Sequence, residues 1–118
     1  MAILVLVVED EPIIRMNAVG IIEDAGYDVV EASNADEAIT LLETRPDIGA
    51  VFSDIEMPAG SMDGLKLIQA IRRRWPPATL ILASGRVSPS VADMPRDTVF
   101  LRKPYTEDDL IAALPAAA

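Results

Sequence analysis

Apolar positions along the chain switch between two periods. Residues 3–8, Ile-Leu-Val-Leu-Val-Val, form an unbroken β-branched and leucine run, the pattern of a strand buried on both faces. Pro12 suits the first position of a helix. Ile14, Ala18, Ile21, Ile22 and Ala25 then recur at helical spacing until Gly26 stops the helix. Residues 28–32 read as a short second strand. Ser33 or Asn34 can cap a second helix, with Ala35, Ala38, Ile39 and Leu42 inward, before Pro46 breaks it. A third strand is predicted over 48–53, followed by a helix from about Leu65 to Trp75 with Leu67, Ile71 and Trp75 on one face. Pro76 and Pro77 end it. Strands over 79–83 and 98–101 come next, and Thr106 can cap a last helix over Leu110, Ala113 and Leu114, closed by Pro115. Between them, Pro89 and Pro95 leave residues 87–96 at best a short, irregular fourth helix.

Strands alternating with helices across short loops imply an α/β fold: a doubly wound five-stranded parallel sheet with helices on both faces. At 118 residues the expectation is a single domain over 1–118. Charge narrows the possible partners. Ten Lys and Arg against 19 Asp and Glu give a net charge of −9, which disfavours nucleic acid and anionic lipid, both of which need a basic surface. With no His and no Cys, zinc sites, thiol catalysis and histidine acid–base chemistry are excluded. The first apolar run is too short to span a bilayer and no basic stretch precedes it, so a cytoplasmic location is expected.

In such sheets, ligands bind at the carboxyl ends of the strands, near the point where strand order reverses. The residues expected there are Glu9, Asp10 and Glu11 after the first strand, Asp54 after the third, Ser84 and Gly85 after the fourth, and Lys103 and Pro104 after the fifth. Carboxylates gathered at one edge repel one another unless a cation sits among them. A hard divalent ion, magnesium foremost, suits an all-oxygen set. Lys103 is better read as a point charge for a carboxylate or phosphoryl group. A hydroxyl followed by glycine offers an anion one side-chain donor and an unobstructed backbone N–H.

These residues carry a resemblance. Val7-Val-Glu-Asp-Glu-Pro12, Ser53-Asp-Ile-Glu-Met-Pro58, Met62-Asp-Gly64, Leu82-Ala-Ser-Gly85 and Leu101-Arg-Lys-Pro104 together resemble the receiver domain of bacterial two-component response regulators, across essentially the whole chain. The resemblance implies a flavodoxin-like fold and a phosphoryl-accepting switch rather than an enzyme. It implies Asp54 as the acceptor of a phosphoryl group from the phosphohistidine of a sensor histidine kinase or a histidine phosphotransfer protein. It also implies Mg²⁺ held by Glu9, Asp10, Asp54 and the backbone carbonyl of Glu56. Ser84 and Lys103 would receive the phosphoryl oxygens, and Phe100 would be the aromatic whose movement is coupled to Ser84. A cis bond before Pro104 is expected, at an extra cost of only about 0.5–1 kcal/mol.

The chain departs from the family pattern in three places. Glu9 replaces the commoner aspartate, the loop after the third strand is two residues longer, and the fourth-helix region is broken by proline. That last departure puts the standard dimer face in doubt and raises a loop that reorganises on phosphorylation. Glu56 and Arg86 flank the pocket, where they could obstruct or order water. Arg72, Arg73 and Arg74 read as a solvated helix end, Tyr105 and Trp75 as packing residues, and Asp63-Gly64 as a turn without chemistry. A stand-alone receiver is expected, with a piece of a longer regulator or hybrid kinase as the other option and the downstream target open. The alternative function is a phosphorylation-independent interaction module. A magnesium-dependent phosphatase is disfavoured because Glu9-Asp-Glu11 lacks an Asp-x-Asp segment, and a nucleotide site because the first loop has no glycine-rich cradle.

Overall fold

The computed structural model describes residues 3–57, 63–85 and 93–116. Five strands, β1 (Leu4–Val8), β2 (Asp28–Ala32), β3 (Ile48–Asp54), β4 (Thr79–Ser84) and β5 (Thr98–Arg102), form one sheet in the order β2-β1-β3-β4-β5. Every pairing is parallel. Among the described residues the helices are α1 (Pro12–Asp24), α2 (Ala35–Thr44), α3 (Gly64–Arg74) and α4 (Glu107–Ala113). Residues 86–92, which include Arg86 and most of the stretch predicted as an irregular helix, lie outside the described residues, as do 58–62 of the long loop.

The continuous apolar runs are explained by burial on both faces. Val5, Leu6 and Val7 of β1 are all inaccessible to solvent, and each such side chain contributes roughly 1.5–3 kcal/mol by leaving water. On one face, Leu6, Val8, Val51, Leu80 and Leu82 pack with Ala35, Ala38 and Leu42 of α2 and Leu67, Ile68 and Ile71 of α3. On the other, Val5, Val7, Phe52, Ile81 and Ala83 pack with Ala18 and Ile22 of α1 and Leu110 of α4. This is the doubly wound, flavodoxin-like architecture expected from the sequence.

Helix ends follow local chemistry. Pro12 occupies the first turn of α1, Asn34 Oδ1 accepts from the Glu37 amide at 2.9 Å, and Thr106 and Asp109 form a reciprocal capping box. Gly26 ends α1 with φ at +100°, a conformation side chains disfavour.

Two expectations need correction. Ile14 does not join the inner stripe of α1: it is exposed, as are Ile13 (70%) and Met16 (66%). The helix is seated through Ala18 and Ile22, and its first turn stands at the carboxyl edge of the sheet, where Ile14 and Asn17 border a shallow cavity with Lys103, Pro104 and Tyr105. Nor are Arg72 and Arg74 of α3 simply solvated. Arg72 Nη1 donates to the carbonyls of Pro76 (2.6 Å) and Ala78 (2.9 Å), fastening the turn into β4. Arg74 pairs with Glu43 at 2.8 Å and lies 4.4 Å over the Trp75 ring.

Candidate functional site

Strand order reverses between β1 and β3, because the chain leaves β1 toward β2 on one side and β3 toward β4 on the other. The crevice is therefore expected beyond the ends of these two strands. Register carries the candidate residues there. Val8 pairs with Ser53, so Glu9 and Asp54 emerge side by side. Asp54 pairs with Ala83 and Ser84 with Arg102, which brings Ser84 and Lys103 onto the same edge.

The side chains converge. Glu9, Asp10 and Asp54 each offer a carboxylate oxygen, all within 4.8 Å of one another. Lys103 Nζ stands 3.0 Å from Asp54 Oδ1 and 3.6 Å from Glu9 Oε2. Asp54 is only 4% exposed and Ser84 is fully buried. The Lys103-Pro104 peptide is cis, as expected. Tyr105 meets Phe52 edge-on at 5.7 Å, a packing contact as read from the sequence. Phe100 lies half-buried on β5 opposite Leu82, packed against the core that α2 and α3 cover.

The electrostatics report a shortage of positive charge. Burial, together with the charge of Asp54, pushes Glu9 up to about 7, against the opposing pull of Lys103 and the Glu11 amide. Burial likewise holds Asp54 above the usual carboxylate range, although Lys103 pulls it down. Burial alone would lower Lys103; its bond to Asp54 and the charges of Asp54 and Glu9 outweigh that and raise it. Among the described residues, the ammonium of Lys103 alone does not balance these carboxylates.

The donor set fits magnesium on its own chemistry. The candidate ligand atoms are hard oxygens drawn from two strand ends, as Mg²⁺ prefers. Asp54 Oδ1 is buried, and the cation it meets among the described residues is Lys103, with Nζ at 3.0 Å.

Two further residues shape the site, and both were missed in the sequence. Arg15 Nη1 donates to the Glu9 carbonyl at 2.8 Å while its Nε pairs with Glu31 at 3.1 Å, tying the end of β1 to β2. Gly64, assigned only to a turn, packs directly on the Asp54 carbonyl, and its amide donates to Ile55 O at 3.1 Å. An arginine one turn into a helix or a glycine at a helix start gives no sequence signal of the atom it will meet. Glu56 adds no carboxylate to the acidic cluster. Its Oε2 accepts from Ser84 Oγ at 2.6 Å and its Oε1 from the Gly85 amide at 3.0 Å.

Fold and site define a class: a doubly wound domain whose strand ends gather an acidic pocket, a lysine and a buried hydroxyl around one aspartate. The family pattern of the response regulator receiver domain matches residues 5–115. The chain belongs to that family, whose members are phosphoryl-accepting switches of two-component signalling, and it is such a switch. It is 36% identical over 111 residues to the nitrogen assimilation regulatory protein NtrX of Azorhizobium caulinodans, covering 91% of this chain and 24% of that protein. With the chemotaxis protein CheY of Listeria monocytogenes it shares 35% identity over 120 residues, covering 96% of each. The solved response regulator receiver protein of Sinorhizobium medicae superposes with a TM-score of 0.88 at 27% identity, covering 95% of this chain and 90% of that one. The chain thus spans about a quarter of the NtrX relative. No helix among the described residues is long and apolar enough to cross a membrane.

Proposed function

We propose that Asp54 accepts the phosphoryl group of this switch, from the phosphohistidine of a sensor histidine kinase or a histidine phosphotransfer protein, in the cytoplasm. The observation that carries this reading is the buried Asp54 carboxylate at the end of β3, beside Glu9 and Asp10 and 3.0 Å from Lys103 Nζ. Glu9, Asp10, Asp54 and the Glu56 carbonyl are the groups that would hold Mg²⁺. When bound, the ion supplies positive charge where charge builds on the phosphoryl oxygens.

Asp54 is the nucleophile. As its carboxylate oxygen bonds to phosphorus, the P–N bond of the donor breaks and its electron pair stays on the imidazole, which leaves neutral because its other nitrogen carries a proton. The product is an acyl phosphate on Asp54. Lys103 holds Asp54 in position and offsets the charge of the transferring group. Ser84 Oγ–H and the Gly85 amide are the donors on the far wall. Catalysis in this pocket is positioning and electrostatics, and Phe100 is the residue whose packing against the core would change with Ser84. The domain over 1–118 is read as one receiver acting on a protein target, and its net charge of −9 disfavours nucleic acid or a lipid surface.

Incubation with a small acyl phosphate and Mg²⁺ tests the assignment. Intact-mass measurement is expected to show one added phosphoryl group, absent in Asp54→Asn. A folded protein that takes no adduct from the acyl phosphate or from a panel of kinases would instead be a phosphorylation-independent interaction module.

A further inference from the structure

Glu56 lies two residues beyond Asp54, just past the end of β3, and both of its carboxylate oxygens are engaged. One accepts from the Ser84 hydroxyl at 2.6 Å and the other from the Gly85 amide at 3.0 Å. Two convergent donors on two oxygens of one anion make a fork of the kind that binds carboxylate or phosphate. These are the donors that the acceptor reading of Asp54 assigns to the incoming phosphoryl oxygens, so any competition for them rests on that reading.

Occupancy of the fork is exclusive. A serine hydroxyl has one proton and a backbone amide has one, so each points at a single strong acceptor. Ser84 is fully buried at the end of β4, and its strand is pinned on either side: the Ala83 carbonyl accepts from Ile55 N at 2.9 Å and the Ser84 carbonyl from Lys103 N at 2.9 Å. The donors therefore have little freedom to serve two anions, and a phosphoryl group on Asp54 would also repel a carboxylate held on the same wall.

We propose that Glu56 is an internal competitor for the phosphoryl seat. It occupies the Ser84–Gly85 fork while Asp54 is unphosphorylated, and phosphorylation proceeds by exchange of one anion for another. Glu56 thereby sets how fast Asp54 is loaded, and its release frees the end of β4. Its carboxylate serves as a gate on the far wall, separate from the acidic cluster around Asp54.

Two measurements on the full chain test this together. The first is the rate of Asp54 adduct formation from a small acyl phosphate with Mg²⁺, by intact mass, in wild type, Glu56→Gln and Glu56→Ala. Loading is expected to be at least roughly tenfold faster in Glu56→Ala, which loses both charge-assisted hydrogen bonds of the fork. Glu56→Gln, which keeps one acceptor oxygen, should fall between the two. The second is the Gly85 amide resonance in the unphosphorylated, metal-free proteins. It should shift upfield and exchange faster with solvent in Glu56→Ala than in wild type. Adduct at equal or slower rates in both variants overturns the gate while leaving the acceptor assignment standing. An unchanged Gly85 amide overturns the seated carboxylate. Absence of adduct in all three proteins overturns the acceptor assignment, and the gate with it.

Discussion

A Cβ on Gly64 would stand 1.9 Å from the carbonyl oxygen of Asp54 and 2.7 Å from its carbonyl carbon. Both are backbone atoms, so relief of such an overlap requires α3 to move away from the end of β3 or β3 to yield. Either displacement moves the aspartate itself. Overpacking of this kind costs about 1–3 kcal/mol, and misplacing a reacting group by about 1 Å can cost a hundredfold in rate. Gly64→Ala is therefore expected to melt several degrees lower and to acquire the Asp54 adduct about a hundredfold more slowly. Thermal melts and intact-mass time courses check both. A variant with wild-type loading would show that the start of α3 does not hold Asp54.

Lys103 acts on loading and on metal binding with opposite signs. Its ammonium, 3.0 Å from Asp54, is placed to neutralise charge in the proposed transfer, and loss of one such preorganised donor costs about 10²–10³-fold in rate. The same ammonium repels a divalent cation from the acidic cluster. Lys103→Ala is expected to load about 10²–10³-fold more slowly yet to bind Mg²⁺ more tightly, by titration calorimetry. Parallel losses of both would mean the variant had merely disordered the site.

Much of the fold was legible because burial writes a period into the chain. The unbroken run that became β1 and the apolar stripe Ala35, Ala38 and Leu42 of α2 are consequences of what each face touches. The acidic residues and Lys103 were legible for a related reason: a parallel sheet delivers the residues after each strand to one edge. Residues whose role depends on the approach of a second element were not legible. Gly64 matters through the Asp54 carbonyl, Arg15 through the Glu9 carbonyl, and the Glu56 side chain through a strand 28 residues away. Ile14 misled because helical period marks an apolar stripe without telling where the sheet beneath it stops.

Arg15 should act on the metal site without touching it. By donating to the Glu9 carbonyl at 2.8 Å and pairing with Glu31, it fixes the backbone from which Glu9 and Asp10 project. Groups that orient ligands typically contribute 10–100-fold to metal affinity. Arg15→Ala is expected to weaken Mg²⁺ binding by about tenfold with a small change in melting temperature, since the Arg15–Glu31 pair is partly solvent-exposed, Glu31 the more so, and worth at most about 1 kcal/mol. Glu31→Gln, which removes the pair and leaves the bond to Glu9 intact, should bind Mg²⁺ nearly as the wild type does. Equal losses in the two variants would assign the effect to surface charge.

Burial of Glu9 has a consequence for stability that runs opposite to that of an ordinary paired carboxylate. In the folded protein it titrates at about 7, against an ordinary value of 4.5. Between these two values the folded state binds more protons than the unfolded chain, so stability present at pH 4.5 is lost as pH rises through about 7. Asp54, raised by burial in the same direction, adds to the decline. In chelator-treated protein the melting temperature should therefore be several degrees lower at pH 8 than at about pH 5. Glu9→Gln should remove most of the decline between about pH 5 and 7 and stabilise the metal-free fold above that window. Saturating Mg²⁺ should raise the wild-type melting temperature more at pH 8 than at about pH 5, because protons and cation compete for the same oxygens. A metal-free stability profile for Glu9→Gln that parallels the wild type would show that the buried Glu9 carboxyl does not carry the proton.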